Sequence, residues 1–364
     1  MTKAPDISST NSLTPPAHMM PSGSQFSVKT SMINRRCVLL AAVTSVGLAS
    51  KGWSDETAPA PAAIAPTEAP HPKLTPTEFL MHATVRIQCT NGSQEVSIGT
   101  GFLFHLFHQG NQSVPVMVSN KHVIKGAISG SFELTMTKAD ETPDLANHLP
   151  VQITDFEKGW IKHPDDAVDL AIFPCGHILE SLANQGRKVF WTGFDQTLIP
   201  TEDAILTLTP VEELLIVGYP IGIWDTQNNV PVFRRGITST APYLNFSGKQ
   251  EFLIDAAIFP GSSGSPVLLF NQGTCVGRDG GTHIGGRIEL LGVNYAVATY
   301  TATGEIKIEQ TPTEMRPVPK LPIPSNLGVC VKASRILEFE PLLVALGLHP
   351  PDGYVIRAEK PNRR

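Results

Sequence analysis

Three short segments hold side chains that could do nucleophilic chemistry: Val118-Ser119-Asn120-Lys121-His122-Val123-Ile124, Asp166-Ala167-Val168-Asp169-Leu170-Ala171-Ile172 and Pro260-Gly261-Ser262-Ser263-Gly264-Ser265-Pro266-Val267. A serine hydroxyl is a poor nucleophile until a base removes its proton, and a neutral imidazole suits that task near pH 7. A buried carboxylate then fixes the imidazole tautomer and stabilises the imidazolium. Small residues on both sides of Ser263 let the backbone turn sharply and leave its oxygen exposed. Such a turn also aims N–H groups at a developing oxyanion, where one donor is typically worth ~10²–10³ in rate. Each segment alone has a plainer reading: His122 as a polar strand-edge residue, Asp169 as a turn residue, and residues 261–265 as a flexible loop.

Taken together, in the order His, Asp, Ser, the segments point to acyl transfer by a triad of His122, Asp169 and Ser263. The competing nucleophile elbow needs Gly-x-Ser-x-Gly and a different chain order, whereas position 265 is Ser. A binding module that holds peptides without cutting them has no physical need for all three groups. The remaining histidines have no ligand spacing or cysteine pairing for a metal, and no cofactor is expected.

The elements around these segments read as short strands. Residues 85–89 alternate apolar and polar, and strand-like runs recur at residues 101–104, 114–118, 132–136, 170–173, 214–217, 252–254, 266–269 and 290–293. Gly, Pro, Asn and Asp clusters separate them, the pattern of an all-β sandwich or barrel. Thr75-Pro76-Thr77-Glu78 is a helix start, with Thr as cap, Pro at the first helical position and Glu three residues after the cap. Ser334 caps a last helical pattern.

Several motifs resemble the trypsin-like peptidase superfamily, nearest its bacterial HtrA-type branch. They are Gly99-Thr100-Gly101-Phe102, Asn120-Lys121-His122-Val123, Asp169-Leu170-Ala171, Gly218-Tyr219-Pro220-Ile221-Gly222, Asp255 through Pro266, Leu291-Gly292-Val293-Asn294 and Leu327 through Ser334. The resemblance covers roughly residues 77–340. It implies a chymotrypsin-like fold, two packed six-stranded antiparallel β-barrels, with short N-terminal and C-terminal helices. It implies an endopeptidase in which His122 is the base, Asp169 orients it and Ser263 attacks, with the amides of Gly261 and Ser263 as oxyanion hole.

The same resemblance implies that the pocket floor, six positions before the nucleophile, is Ala257, with Ile258 beside it and Val293 and Asn294 on the cleft strand. An uncharged floor implies cleavage after small or medium aliphatic residues, because a buried Lys or Arg would lack a counter-charge. Ser262 stands where chymotrypsin-type activation needs an Asp, so no such activation is expected. Ser265 replaces the family's second Gly, and the run from Gly273 to Arg287 is long enough to cap the pocket. The chain leaves no room for the peptide-binding domain that HtrA-type enzymes append.

The chain divides into residues 1–31 (disordered, or preceding a true start at Met32), 32–54, 55–74, the peptidase domain at 75–345 and a C-terminal tail at 346–364. Arg35-Arg36 followed by a short apolar run is an export signal that resembles the twin-arginine type, and an uncleaved anchor is the alternative. Residues 55–74 are an Ala/Pro-rich linker. Net charge is −5 without basic clustering, which gives no nucleic-acid surface. The expected partners are protein or peptide substrates, with no stable membrane span after signal removal. Export would leave Cys89, Cys175, Cys275 and Cys330 as up to two disulfides or as four free thiols.

Overall fold

The computed structural model describes residues 26–29, 74–302, 321–348, 350–351 and 353–356. The expected export signal, nearly all of the linker and the last residues of the tail lie outside this set. No helix among the described residues is long and apolar enough to cross a membrane.

The first half is built from β1 (Phe26–Lys29), β2 (Thr84–Asn91), β3 (Val96–Gln109), β4 (Gln112–Ser119), β5 (Ala127–Thr137), β6 (Pro143–Thr154), β7 (Ile161–Lys162), β8 (Ala171–Pro174), β9 (Val189–Phe190) and β10 (Phe194–Asp195). The second half has β11 (Glu213–Gly218), β12 (Val232–Thr238), β13 (Glu251–Ala256), β14 (Pro266–Asn271), the hairpin β15 (Thr274–Val276) and β16 (Thr282–Ile284), β17 (Arg287–Ala302) and β18 (Leu321–Lys332). Helix α1 (Pro76–Ala83) lies between β1 and β2, and helix α2 (Phe339–Ala345) follows β18.

The second half closes as the expected six-stranded antiparallel barrel, in the order β11-β12-β13-β18-β17-β14. The first half differs in its closure. Its ladder is a ten-stranded sheet running β1-β6-β5-β2-β3-β4-β8-β7, with β9 and β10 paired to its side. The reason lies in β6, whose outer edge is taken by β1 in parallel, Phe26 against Val151 through Lys29 against Thr154. The four residues of β1 fall within the stretch read from sequence as disordered.

Period-two alternation sorts each strand's side chains into different cores. On β3, Phe102, Phe104 and Leu106 enter a cluster between the two halves, whereas Leu103 turns to the interior of the first. On β14, Leu268 and Phe270 join the cluster between the halves, and Val267 and Leu269 fill the second barrel. Three cores result: one inside each half and one between them, the last built around Phe102, Phe194, Val293 and Phe339.

The ends follow local rules. Thr75 and Glu78 form the reciprocal cap of α1, with the Thr75 amide donating to Glu78 Oε2 at 2.7 Å. Phe339 and Leu343 of α2 face the cluster between the halves. Part of the C-terminal stretch read as a tail packs there too. Leu348 is buried, and Tyr354 donates its hydroxyl to Glu340 Oε1 at 2.6 Å.

Candidate active site

His122 sits on a single helical turn, Lys121–Ile124, at the end of β4. Val123 and Ile124 are buried in the first core and leave the His122 ring exposed. Asp169 precedes β8, and β8 pairs with β4 through Ser119 against Ala171. That register brings the two side chains together. His122 Nδ1 lies 2.5 Å from Asp169 Oδ2, and the His122 amide donates to Oδ1 at 3.1 Å. The carboxylate therefore holds both the ring and the backbone of the same residue. Asn120, fully buried, donates from Nδ2 to the Asp169 carbonyl at 2.7 Å and fixes the segment from the other side. With Nδ1 engaged, Nε2 is the nitrogen that faces an incoming proton.

The Ser263 loop comes from the second half, between β13 and β14, and one residue of β3 locks it to the first. The Thr100 amide donates to the Ser263 carbonyl at 2.8 Å, and its hydroxyl donates to the Gly261 carbonyl at 2.9 Å. Ser119, three residues before His122, donates to the Thr100 carbonyl at 2.7 Å. Thr100 thus fastens the serine loop and the histidine turn to one point. The Ser263 hydroxyl and the His122 ring make no direct hydrogen bond among the described contacts. Substrate-free sites often have such loose catalytic hydrogen bonds, which tighten in the complex.

Backbone amides around Ser263 divide into two kinds. Those of Ser262, Gly264 and Ser265 are taken by the carbonyls of Phe259, Asn294 and Ser262. Those of Gly261 and Ser263 donate to no acceptor among the described residues. The Pro260 carbonyl accepts from the Ile221 amide at 2.5 Å. In a planar trans peptide the N–H points opposite the C=O, so the Gly261 amide faces away from the turn at residues 219–222. Gly261 adopts φ +89°, a conformation that favours glycine.

The four residues read as substrate pocket do not all share one wall. Ile258 and Asn294 do: a Cβ on Gly328 would stand 3.0 Å from the side chains of both. Asn294 is buried and donates from Nδ2 to the Ser262 carbonyl at 3.1 Å. Val293 instead points into the core between the halves, because adjacent residues of a strand face opposite sides. Ala257 is exposed, and its carbonyl accepts from the Arg234 guanidinium. The expected capping run is the β15–β16 hairpin. It extends from the Asn271–Arg287 end of the β14–β17 ladder, whereas Ser263 lies at the Pro266–Val293 end. The length of β14 separates them, roughly 17–20 Å for a strand of this size.

Sequence reasoning missed several residues here. Thr100 and Gly328 sat inside recognised motifs without an assigned role. Arg234 had no signal: its position beside Ala257 comes from β12 pairing with β13. Its guanidinium lies 4.8 Å over the Phe259 ring and pairs with no carboxylate among the described residues. Tyr295 follows Asn294 and packs on the core between the halves. Burial, together with the carboxylates of Glu251 and Asp169, pushes its hydroxyl pKa up.

Comparison with known proteins follows this geometry. The family described as "Trypsin-like peptidase domain" matches residues 99–277, a span that contains His122, Asp169 and Ser263. No curated protein sequence matches the chain. Among solved structures, the chain is similar to the HtrA-type protease AlgW with tripeptide, at 15% identity and TM-score 0.37, covering 75% of this chain and 63% of that one. The Rv3671c protease from M. tuberculosis in its active form matches at 16% identity and TM-score 0.37, over 82% of this chain and 98% of that one. The serine endoprotease from Yersinia pestis matches at 14% identity and TM-score 0.38, over 75% and 66%. The chain thus spans less than two thirds of the AlgW chain.

Proposed function

We propose that the chain is a serine endopeptidase with His122, Asp169 and Ser263 as its triad, in keeping with the match of residues 99–277 to the trypsin-like peptidase domain family. One observation carries the reading: the His122–Asp169 pair at 2.5 Å, with the Ser263 loop bound to the same strand residue as the histidine turn. Ser263 attacks the scissile carbonyl while His122 Nε2 takes its proton. The amides of Gly261 and Ser263 hold the oxyanion. His122 then protonates the leaving amine, and water releases the acyl group by the same route. A fluorophosphonate probe tests this directly. Covalent labelling at Ser263, lost in Ser263→Ala together with casein cleavage, is the expected result. Casein cleavage by purified Ser263→Ala at the wild-type rate would sink the assignment.

For specificity, the uncharged residues Ala257, Ile258 and Asn294 support cleavage after small or medium aliphatic residues. Discrimination among these is modest, since one methylene is worth about 1–3 kcal/mol. Arg234 supports a second reading. Its guanidinium, which has no carboxylate partner among the described residues, lies beside Ala257 and would favour an acidic side chain. Digestion of a peptide library by the purified enzyme, with cut sites read by mass spectrometry, separates aliphatic from acidic preference.

Residues 32–54 support export to the periplasm or beyond, with a mature N-terminus near Ala49–Ser54. N-terminal sequencing of fractionated protein tests this, and full-length protein in the cytosol would refute it.

A further inference from the structure

The loop that carries Asp169 is tied to the C-terminal end of the fold by a chain of charged contacts. Its base is closed by the His163 amide, which donates to the Leu170 carbonyl at 3.0 Å. Within it, Asp165 is a junction. Its Oδ1 accepts from the Ala167 amide at 2.9 Å, and its carbonyl accepts from Lys121 Nζ, next to His122, at 2.8 Å. Its Oδ2 accepts from Arg335 Nη2 at 3.1 Å. Arg335 lies on the short turn of helix Ala333–Ile336 after β18, and its side chain is only 13% exposed. The same guanidinium pairs through Nε with Glu338 Oε1 at 2.6 Å. The other Glu338 oxygen lies 3.1 Å from Nε2 of His163, a buried ring set edge-on against Phe339 at 5.2 Å. Arg335 therefore holds the Asp169 loop at its middle directly, and its partner Glu338 sits beside His163 at the loop's base.

We propose that Arg335 is a positioning residue for the His122–Asp169 pair, setting the carboxylate that orients the imidazole; this rests on the triad reading above. The physical argument is one of leverage. Asp169 is held at its backbone by Asn120 and at its carboxylate by His122 itself. The residues before it have the Asp165 junction as their anchor. A sheltered guanidinium with two carboxylate partners fixes geometry better than an exposed pair does. A displacement of about 1 Å at a catalytic group costs up to about 10²-fold in rate.

The experiment compares wild type with Arg335→Ala, Arg335→Lys and Asp165→Asn. Asp165→Asn keeps the acceptor for Ala167 and removes the charge, so it serves where Arg335→Ala fails to fold. Expected are a kcat lowered up to about 10²-fold, KM within about twofold, and partial rescue in Arg335→Lys. The acid limb of kcat/KM should shift to lower pH, because the imidazolium loses its carboxylate. The downfield proton resonance of His122 Nδ1–H should move or broaden in the same variants. Folded Arg335→Ala or Asp165→Asn with the wild-type kcat, pH profile and resonance overturns the proposal. Losses in kcat that only track melting temperature, without movement of the resonance, overturn it too. An absence of fluorophosphonate labelling in the wild type would instead defeat the peptidase reading, and the resonance would still report on the positioning.

Discussion

The Ser265 hydroxyl fills the space that a Cβ on Gly218 would need. Gly218 ends β11, and Ser265 is fully buried two residues after Ser263. Its hydroxyl has no hydrogen-bond partner among the described residues. The two positions are matched in volume, and the serine is tolerated because its neighbour has no side chain. Gly218→Ala should destabilise the fold and lower activity, since the new methyl also meets Thr100 Oγ1 at 2.8 Å. Ser265→Ala should be neutral or stabilising, because an unsatisfied buried hydroxyl costs about 1–3 kcal/mol. Thermal melts of both variants check the pair.

Gly264 presses its bare α-carbon against the Thr100 carbonyl and lies 2.6 Å, at the Cβ position, from Ser119 Oγ. Its φ is +86°, outside the range that side chains favour. Gly264→Ala must therefore move the Ser263 loop away from β3 or distort β3 itself. The strain alone is of order 1–3 kcal/mol. Loss of fluorophosphonate labelling with a lower melting temperature is the expected outcome. A labelled, equally stable variant would mean that Thr100 does not hold the loop.

How much of this was legible in the sequence depends on the length scale of each interaction. The α1 cap and the strand runs are local, so the Thr75–Glu78 pattern and the alternation in residues 85–89 announced them. The His-Asp-Ser order pointed to a candidate site because those three groups are chemically specific, and the structure brings His122 and Asp169 of it into contact. The pocket was read less well. Val293 and Asn294 are adjacent in sequence, and strand pleating sends Val293 to the core between the halves and Asn294 to the buried space beside Gly328 and the Ser262 carbonyl. Arg234 reaches Ala257 only through the pairing of β12 with β13, which no spacing in the chain reveals. The closure of the first half turned on β1, a pairing across more than a hundred residues.

The cysteines divide by burial. Cys89, Cys175, Cys275 and Cys330 are all free thiols. Burial pushes the Cys89 and Cys175 thiols up to about 12 and the Cys330 thiol well above its ordinary value. Only a thiolate reacts readily. Cys275, on the β15–β16 hairpin, is half-exposed. A brief treatment of native protein with a disulfide-exchange reagent should label Cys275 and leave the other three unlabelled, as mapped by mass spectrometry. All three should react after denaturation. Labelling of Cys330 in native protein would show that β18 opens more readily than its buried position implies.

Acid should destabilise the fold before its carboxylates protonate. Burial lowers the His105 pKa from 6.5 to about 4, with the neighbouring His108 adding to the effect. Burial also lowers those of His82 and His177. Once unfolded, these rings take up protons near 6.5 that the folded protein refuses. Stability is therefore complete above that pH, falls as the pH drops below it, and stops falling on account of His105 at about 4. Each pK unit of difference corresponds to about 1.4 kcal/mol. Asp195, whose pKa is lowered below 3.8 chiefly by hydrogen bonds from Thr197 against the opposing effect of burial, loses its contribution only in stronger acid. The window between pH 5 and 6.5 thus weights the histidines, and Glu289, whose carboxyl is pushed up by burial, acts in the opposite direction. His105 Nδ1 lies 2.8 Å from Ser113 Oγ and its ring stacks on Trp191 at 5.1 Å. His105→Phe keeps the stacking and removes the titration. Melting temperatures at pH 7 and pH 5 should differ less in His105→Phe than in the wild type, even if the variant melts lower at both. An equal drop in the two proteins would show that His105 does not contribute to the acid sensitivity.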